Sequence, residues 1–283
     1  MIISIASGKG GTGKTTVAVN LALSLSDKEV QVLDCDVEEP NAHLFLNPVI
    51  RETKPAHTLV PTVNYERCDF CGKCAPACEY HALVVVPQKE VMVFPGLCHG
   101  CGLCSLVCPQ DAISEVPREI GVIKKGRSGD GSIELVYGLL KIGEIMATPL
   151  IDQVKAELDP AKTVIIDVPP GTACPVIAAV QGSDYCILVT EPTPFGLYDL
   201  TLAVAVLRVL AIPCGVVVNK AGIGDRRVYA YCEKEGLPIL LEIPHDKRIA
   251  QCCSEGVPFI KELPEWRERF AALMERVEEE HEQ

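Results

Sequence analysis

Nine consecutive residues near the start of the chain, Gly8-Lys9-Gly10-Gly11-Thr12-Gly13-Lys14-Thr15-Thr16, have the composition of a phosphate cradle. Glycines let a backbone wrap closely around phosphate oxygens with its N–H groups turned inward. The apolar run Ile2-Ile3-Ser4-Ile5-Ala6 before the loop reads as a strand, and Val17 to Leu23 after it as a buried helix. The loop therefore ends on a helix N-terminus, whose dipole favours an anion. In this setting Lys14 is expected to reach the terminal phosphates of ATP and the Thr15 hydroxyl to hold Mg²⁺, with the backbone from Gly8 to Thr16 wrapping the rest.

A second chemistry is written in the cysteines. The chain has 15, and eight of them fall in two runs of C-x₂-C-x₂-C-x₃-C spacing: Cys68, Cys71, Cys74 and Cys78, then Cys98, Cys101, Cys104 and Cys108. The halves also share Cys-Gly pairs, Cys71-Gly72 and Cys101-Gly102, as expected of an internal duplication. The spacing resembles that of bacterial ferredoxins with two [4Fe–4S] clusters, in which the fourth cysteine of each run ligates the other cluster. That resemblance implies one cluster on Cys68, Cys71, Cys74 and Cys108, and another on Cys98, Cys101, Cys104 and Cys78. Three thiolates on a tight loop cap three irons of a cube, and the fourth arrives from elsewhere. Pro109 follows Cys108 as the pattern expects, whereas Glu79 follows Cys78 where a proline is usual. Zinc sites favour paired C-x₂-C units over such four-cysteine runs.

The rest of the composition bounds the partners. With 283 residues, 48% hydrophobic and 23% charged, the chain reads as a soluble globular protein with ample core. A formal charge of −12 argues against general nucleic-acid binding, which relies on clustered Lys and Arg. No stretch is long and apolar enough to span a membrane, and the N-terminus runs straight into a strand, so a cytoplasmic location is expected. Reducing conditions there suit metal ligation by cysteine rather than disulfides.

Around these motifs the chain alternates strands and helices. Val30 to Asp34, Thr163 to Val168, Tyr185 to Thr190, Gly215 to Asn219 and Leu237 to Ile243 read as buried strands; Val176–Val180, Gly196–Leu210 and Arg226–Glu235 read as helices between them. This implies an α/β fold with a mostly parallel sheet covered by helices on both faces. Val49 to Pro61 reads as a polar linker, and Lys124 to Gly131 as a hairpin or mobile connector between strands near Val122 and from Ile133 to Tyr137. A helix is expected from Thr148 through Leu158, and an acidic amphipathic one from Pro264 to near Glu280. The expected division is a nucleotide domain in two parts, 1–61 and 118–283, with a ferredoxin-like α+β insert over 62–117.

Lys9, at the start of the loop, makes the motif resemble the deviant phosphate loop of the MinD/ParA/Mrp P-loop ATPases. Together with the eight cysteines, the chain resembles MinD-superfamily ATPases carrying an inserted ferredoxin domain. The resemblance implies a homodimer closed through its nucleotide face, with Lys9 crossing to the partner's ATP. It places Asp167 in the Mg²⁺ shell with Asp34 assisting, and makes Asp36 the group that orients the attacking water. By the same likeness Asn219 reads the base edge, where a turn-forming asparagine is the rival reading. Pro244 and Asp246 belong to a second base-contacting loop. Cys174 stands where the related nitrogenase iron protein ligates a cluster shared between subunits; the rival reading is packing or thiol chemistry. The functional expectation is an ATP-driven switch governing electron delivery to a metalloprotein or metallocofactor-maturation partner. An iron–sulfur carrier is the alternative. A MinD/ParA-like positioning ATPase would need a cationic C-terminal helix face, where the sequence is acidic.

Overall fold

A computed structural model describes residues 1–25 and 28–281. The strands are β1 (Ile2–Ala6), β2 (Val30–Asp34), β3 (Val49–Val63), β4 (Leu83–Val86), β5 (Glu90–Val93), β6 (Ile113–Arg127), β7 (Ile133–Leu140), β8 (Thr163–Asp167), β9 (Tyr185–Thr190), β10 (Cys214–Ala221) and β11 (Ile239–Pro244). The helices are α1 (Lys14–Ser24), α2 (Ala42–Leu46), α3 (Cys74–Ala77), α4 (Leu103–Leu106), α5 (Thr148–Lys155), α6 (Cys174–Val180), α7 (Pro194–Val209), α8 (Arg227–Glu235), α9 (Lys247–Ser254), α10 (Phe259–Glu262) and α11 (Glu265–His281).

Nine strands form one sheet in the order β11-β10-β9-β1-β8-β2-β7-β6-β3. The first seven in that order pair in parallel, as the buried Val- and Ile-rich runs predict. β1 lies between β8 and β9, with Ile5 opposite Asp167 on one side and Ile187 on the other. The phosphate loop after β1 and the acidic end of β8 therefore emerge side by side, at the carboxyl ends where parallel sheets carry ligands.

Local chemistry sets the helix ends. Gly13 precedes α1 at φ 96°, a left-handed conformation that glycine adopts without strain. Thr193 caps α7, its hydroxyl accepting the Gly196 N–H at 3.0 Å, and Pro194 sits at the first helical position. Asp246 caps α9 by accepting the Arg248 N–H at 2.8 Å. One face of α11, comprising Trp266, Phe270, Leu273, Met274 and Val277, is buried in a core shared with α1 and with Phe259, whose ring meets Trp266 edge-on at 5.4 Å.

The chain divides into two compact units. The larger comprises 1–54, 123–139 and 151–283; the smaller comprises 55–122 and 140–150. Two expectations change. Val49–Val63 is a strand rather than a linker: Ala56, Thr58 and Val60 are buried alternately, and Pro55 and Pro61 are tolerated because β3 is at the sheet edge with a single neighbour. The helix opening at Thr148 ends at Lys155, not Leu158. The stretch Lys124 to Gly131 leads from β6 into β7 through a tight turn in which Asp130 accepts from Ser128 and Ser132, as a hairpin-like connection requires.

The smaller unit repeats itself at an interval of 30 residues. Ala75 N–H to Gly72 carbonyl is matched by Ser105 to Gly102, and Cys78 to Ala75 by Cys108 to Ser105. His81 to Cys78 is matched likewise by Asp111 to Cys108. Left-handed backbone recurs at Phe70 and Gly100, Gly72 and Gly102, and His81 and Asp111. The duplication in the spacing is thus a duplication in hydrogen bonding.

Candidate functional site

In the larger unit the phosphate loop and three carboxylates converge. Lys14, at the first position of α1, is almost fully buried. Burial pushes its ammonium pKa down, against the opposing pull of Asp167, Asp36 and Asp34 in that order. The Thr15 hydroxyl donates to Asp167 Oδ2 at 2.6 Å, so the two groups expected to share a metal already meet. Burial raises the Asp167 carboxyl, with Thr15 and Lys14 working against the rise. Asp36 is pushed up to about 6 by burial, with Lys14 opposing.

The site fits a hydrated hard cation. Three acids face a single ammonium, and the buried Asp167 Oδ1 has no hydrogen-bond partner. A hydroxyl with carboxylates is the oxygen donor set that suits Mg²⁺. Asp34 is differently employed. Its Oδ1 accepts the Asp36 N–H at 3.1 Å, and its Oδ2 accepts those of Asn41 at 3.0 Å and Ala42 at 2.9 Å. It braces the segment carrying Asp36, and burial followed by Asp167 pushes its own carboxyl well up.

Two clefts open from the loop. One, of about 450 Å³, is lined by Gly10, Gly11, Gly13, Lys14, Thr15, Thr16 and Asp36, with Glu39, Asn41, Phe45 and Pro170. The other, of about 270 Å³, is lined by Asn219, Lys220, Pro244, His245 and Asp246 and shares Gly11, Gly13, Thr16 and Cys253 with the first. Phosphates in the first and a base in the second is the arrangement these linings suit. Asn219, however, has both ends of its amide engaged: Nδ2 donates to the Thr12 carbonyl at 2.7 Å and Oδ1 accepts the Lys220 N–H at 2.8 Å. Asp246 is likewise tied to the Arg248 guanidinium at 2.7 Å. Gly8 packs so closely on α7 that a Cβ there would lie 2.4 Å from the Asp199 carbonyl oxygen.

Sequence reasoning missed two participants. Cys253 lies at the junction of the clefts, with its Sγ 3.7 Å from Thr16 Oγ1. Nothing in the sequence distinguishes it from its buried neighbour Cys252. Glu191 is the other, a largely buried carboxylate that pairs with Lys9 at 3.3 Å and Lys220 at 2.5 Å. Its position directly after β9, at a carboxyl end of the sheet, is the signal that could have found it. Cys174 opens α6 and is exposed.

In the smaller unit, Cys68, Cys71, Cys74 and Cys108 line one small recess with Val63, Phe70, Val85, Val91 and Ile113. The pocket thus gathers three cysteines of the first run and the last of the second. Cys74 is raised chiefly by burial, with the Cys108, Cys68 and Cys71 thiols adding to it. Cys104 is pushed up to about 11 by burial, with Cys98 and Cys101 adding to it. Cys78 packs with Cys98, Ala82 and Val60. Its Sγ accepts the Ala82 N–H at 3.3 Å, as Cys108 Sγ accepts that of Ala112 at 3.3 Å. The equivalent positions flanking the two groups are also paired: Asp69 with Gln110 at 3.1 Å, and His99 stacked on Tyr80. Among the described residues no three His, Cys, Asp or Glu side chains converge on a single ion. A cube-shaped cluster asks for something else, four thiols spread around a recess with one iron each.

The CobQ/CobB/MinD/ParA nucleotide-binding domain model matches residues 3–259. An uncharacterized protein of Methanocaldococcus jannaschii is 35% identical over 251 residues, covering 86% of each chain. An iron-sulfur cluster carrier protein of Pyrococcus furiosus is 27% identical, covering 86% of this chain and 74% of its own length. The septum site-determining protein MinD of Pyrococcus horikoshii, solved with Mg-ADP, shares the fold at a TM-score of 0.60 and 22% identity over 98% of this chain and 95% of that one. The phosphate loop, the acidic strand ends and this match agree: the chain belongs to the CobQ/CobB/MinD/ParA family of nucleotide-binding domains.

Proposed function

We propose that the chain is a dimeric ATP-binding and ATP-hydrolysing switch whose smaller unit is a ferredoxin-like insert with two [4Fe–4S] clusters, and that nucleotide state governs electron delivery to a metalloprotein or metallocofactor-maturation partner. The observation that carries the reading is the recess gathering Cys68, Cys71, Cys74 and Cys108 in a chain that also holds a phosphate cradle. On this reading Lys14 and the backbone of Gly10, Gly11 and Gly13 position the triphosphate. Thr15 and Asp167 hold Mg²⁺, which when bound neutralises phosphate charge. Asp36 orients the attacking water and is ionised at neutral pH, since its carboxyl lies at about 6. Lys9 reaches the partner subunit's nucleotide, so that two copies close on two ATP molecules. The clusters, held as the fourfold groups above, supply one-electron storage.

The test is anaerobic redox titration with and without ATP, alongside partner binding in both states. A switch must differ between states in one of these quantities, because tight nucleotide binding alone shifts nothing; if neither moves, the reading fails. Cys108→Ser and Cys78→Ser, each removing a ligand of a different cluster, should each remove at least about half of the bound iron and sulfide.

A second reading, in which a cluster is cargo, is favoured by the relatives described as iron-sulfur cluster carrier proteins and by the exposed Cys174. Transfer of labelled iron to an apo-acceptor, lost in Cys174→Ala but retained when an insert ligand is removed, would decide for it.

A further inference from the structure

Glu191 is a largely buried carboxylate with two ammonium partners, Lys9 at 3.3 Å and Lys220 at 2.5 Å. Burial alone would raise its carboxyl, but Lys220 and then Lys9 outweigh that and hold it low. The three residues come from different places: Lys9 from the phosphate loop, Glu191 from the end of β9, and Lys220 from the end of β10 at φ 53°. A lysine in the left-handed region is strained, and here it is also fixed by the Asn219 side chain accepting its N–H at 2.8 Å. The two ammonium groups are unequally placed, with Lys220 at the shorter distance.

We infer that Glu191 is a positioning residue that parks Lys9 on its own subunit, and that Lys220 makes the parking reversible. The inference rests on the reading that Lys9 crosses to a partner's nucleotide. Closing the dimer then means moving the Lys9 ammonium from Glu191 to phosphate oxygens. If Lys9 were the sole counter-ion, its departure would strand a buried charge, which is strongly unfavourable. Lys220 stays behind and keeps the carboxylate paired, so the exchange costs little. A carboxylate with two lysines is the arrangement from which one cation can leave.

The arrangement predicts opposite signs for two substitutions, which a merely structural role does not. In Glu191→Gln the parking contact is weakened in both subunits, and the dimer dissociation constant with a non-hydrolysable ATP analogue should fall roughly twofold to thirtyfold, the span of two partly exposed ion pairs. In Lys220→Met, Glu191 has only Lys9, so closing the dimer would strand its charge and dimerisation should weaken by about a hundredfold or more. The experiment is sedimentation velocity of the full chain at saturating analogue, with nucleotide affinity measured in parallel to confirm saturation. Glu191→Gln in a Lys9→Ala background should have no effect on association. Both variants shifting in the same direction, no shift in Glu191→Gln, or a Glu191→Gln effect that survives Lys9→Ala overturns the inference. Failure of the parent reading looks different: the wild type stays monomeric with the analogue, or Lys9→Ala dimerises as well as wild type.

Discussion

Replacing Gly13 by alanine probes how the base side of the site is tied to the phosphate side. Gly13 has φ 96°, and a Cβ there would lie 2.4 Å from Asn219 Nδ2. Two costs follow. Holding alanine in the left-handed region costs about 1–2 kcal/mol. The methyl also displaces an amide that bonds the Thr12 carbonyl at 2.7 Å and the Lys220 N–H at 2.8 Å, at about 0.5–1.5 kcal/mol net for each bond. Gly13→Ala should therefore destabilise the larger unit by roughly 2–5 kcal/mol. In an Asn219→Ala background the obstruction is gone, and the same substitution should cost only the backbone part, about 1–2 kcal/mol. The assay is urea unfolding without nucleotide, followed by the fluorescence of the single tryptophan, Trp266, which is buried on α11 against Phe259 in this unit. Equal costs in the two backgrounds would refute the reasoning, because the steric link between Gly13 and Asn219 would then carry no energy.

Two further outcomes follow from burial. Phe270→Ala empties a fully buried position between Phe259 and Trp266 and should cost about 3–5 kcal/mol by the same fluorescence measurement. Asp36 has a folded-state carboxyl raised from 3.8 to about 6, so its proton stabilises the fold at low pH and that contribution is lost as pH rises towards 6. Asp36→Asn should accordingly be more stable than wild type at pH 7 by up to about 3 kcal/mol without nucleotide, with the difference shrinking as pH falls through 6 and gone below the unfolded value of 3.8. Parallel melts of the two proteins across that range check it, and a gap that widens on acidification contradicts the assignment.

What could be read in the sequence was what is local. The phosphate loop declares itself because Gly8 to Thr16, the preceding strand and the following helix are contiguous, and the parallel sheet because each buried strand is a continuous apolar run. The amphipathic helix from Glu265 was legible through Trp266, Phe270, Leu273 and Val277, which recur at helical spacing. β3 was hidden because its alternation is confined to Ala56, Thr58 and Val60, while Pro55 and Pro61 argue for a loop unless the strand is known to be an edge. α9 was hidden because eight residues with two buried positions, Ile249 and Cys252, give too few repeats to reveal a period. The Glu191 contacts were beyond reach for a different reason. Lys9 is 182 positions away and meets it only because β9 lies beside β1 in the sheet, and strand order is a property of the whole topology. Asn219 was noticed but its employment was not, since the Thr12 carbonyl it holds is 207 positions distant.

The duplicated cysteine unit has a consequence for how it is built. The recess that gathers Cys68, Cys71 and Cys74 takes its remaining cysteine from the opposite half, and Cys78 rests against Cys98 in return. Each half is thus both host and donor, like two hands clasped at the wrist. On the proposed ligand sets, the first cluster to be inserted must order both halves and bears the whole entropic cost of doing so, while the second enters a frame already set. Loading should therefore run towards all or none, with singly loaded chains scarce at every iron supply, and a fragment carrying one half alone would have three ligands and no fourth.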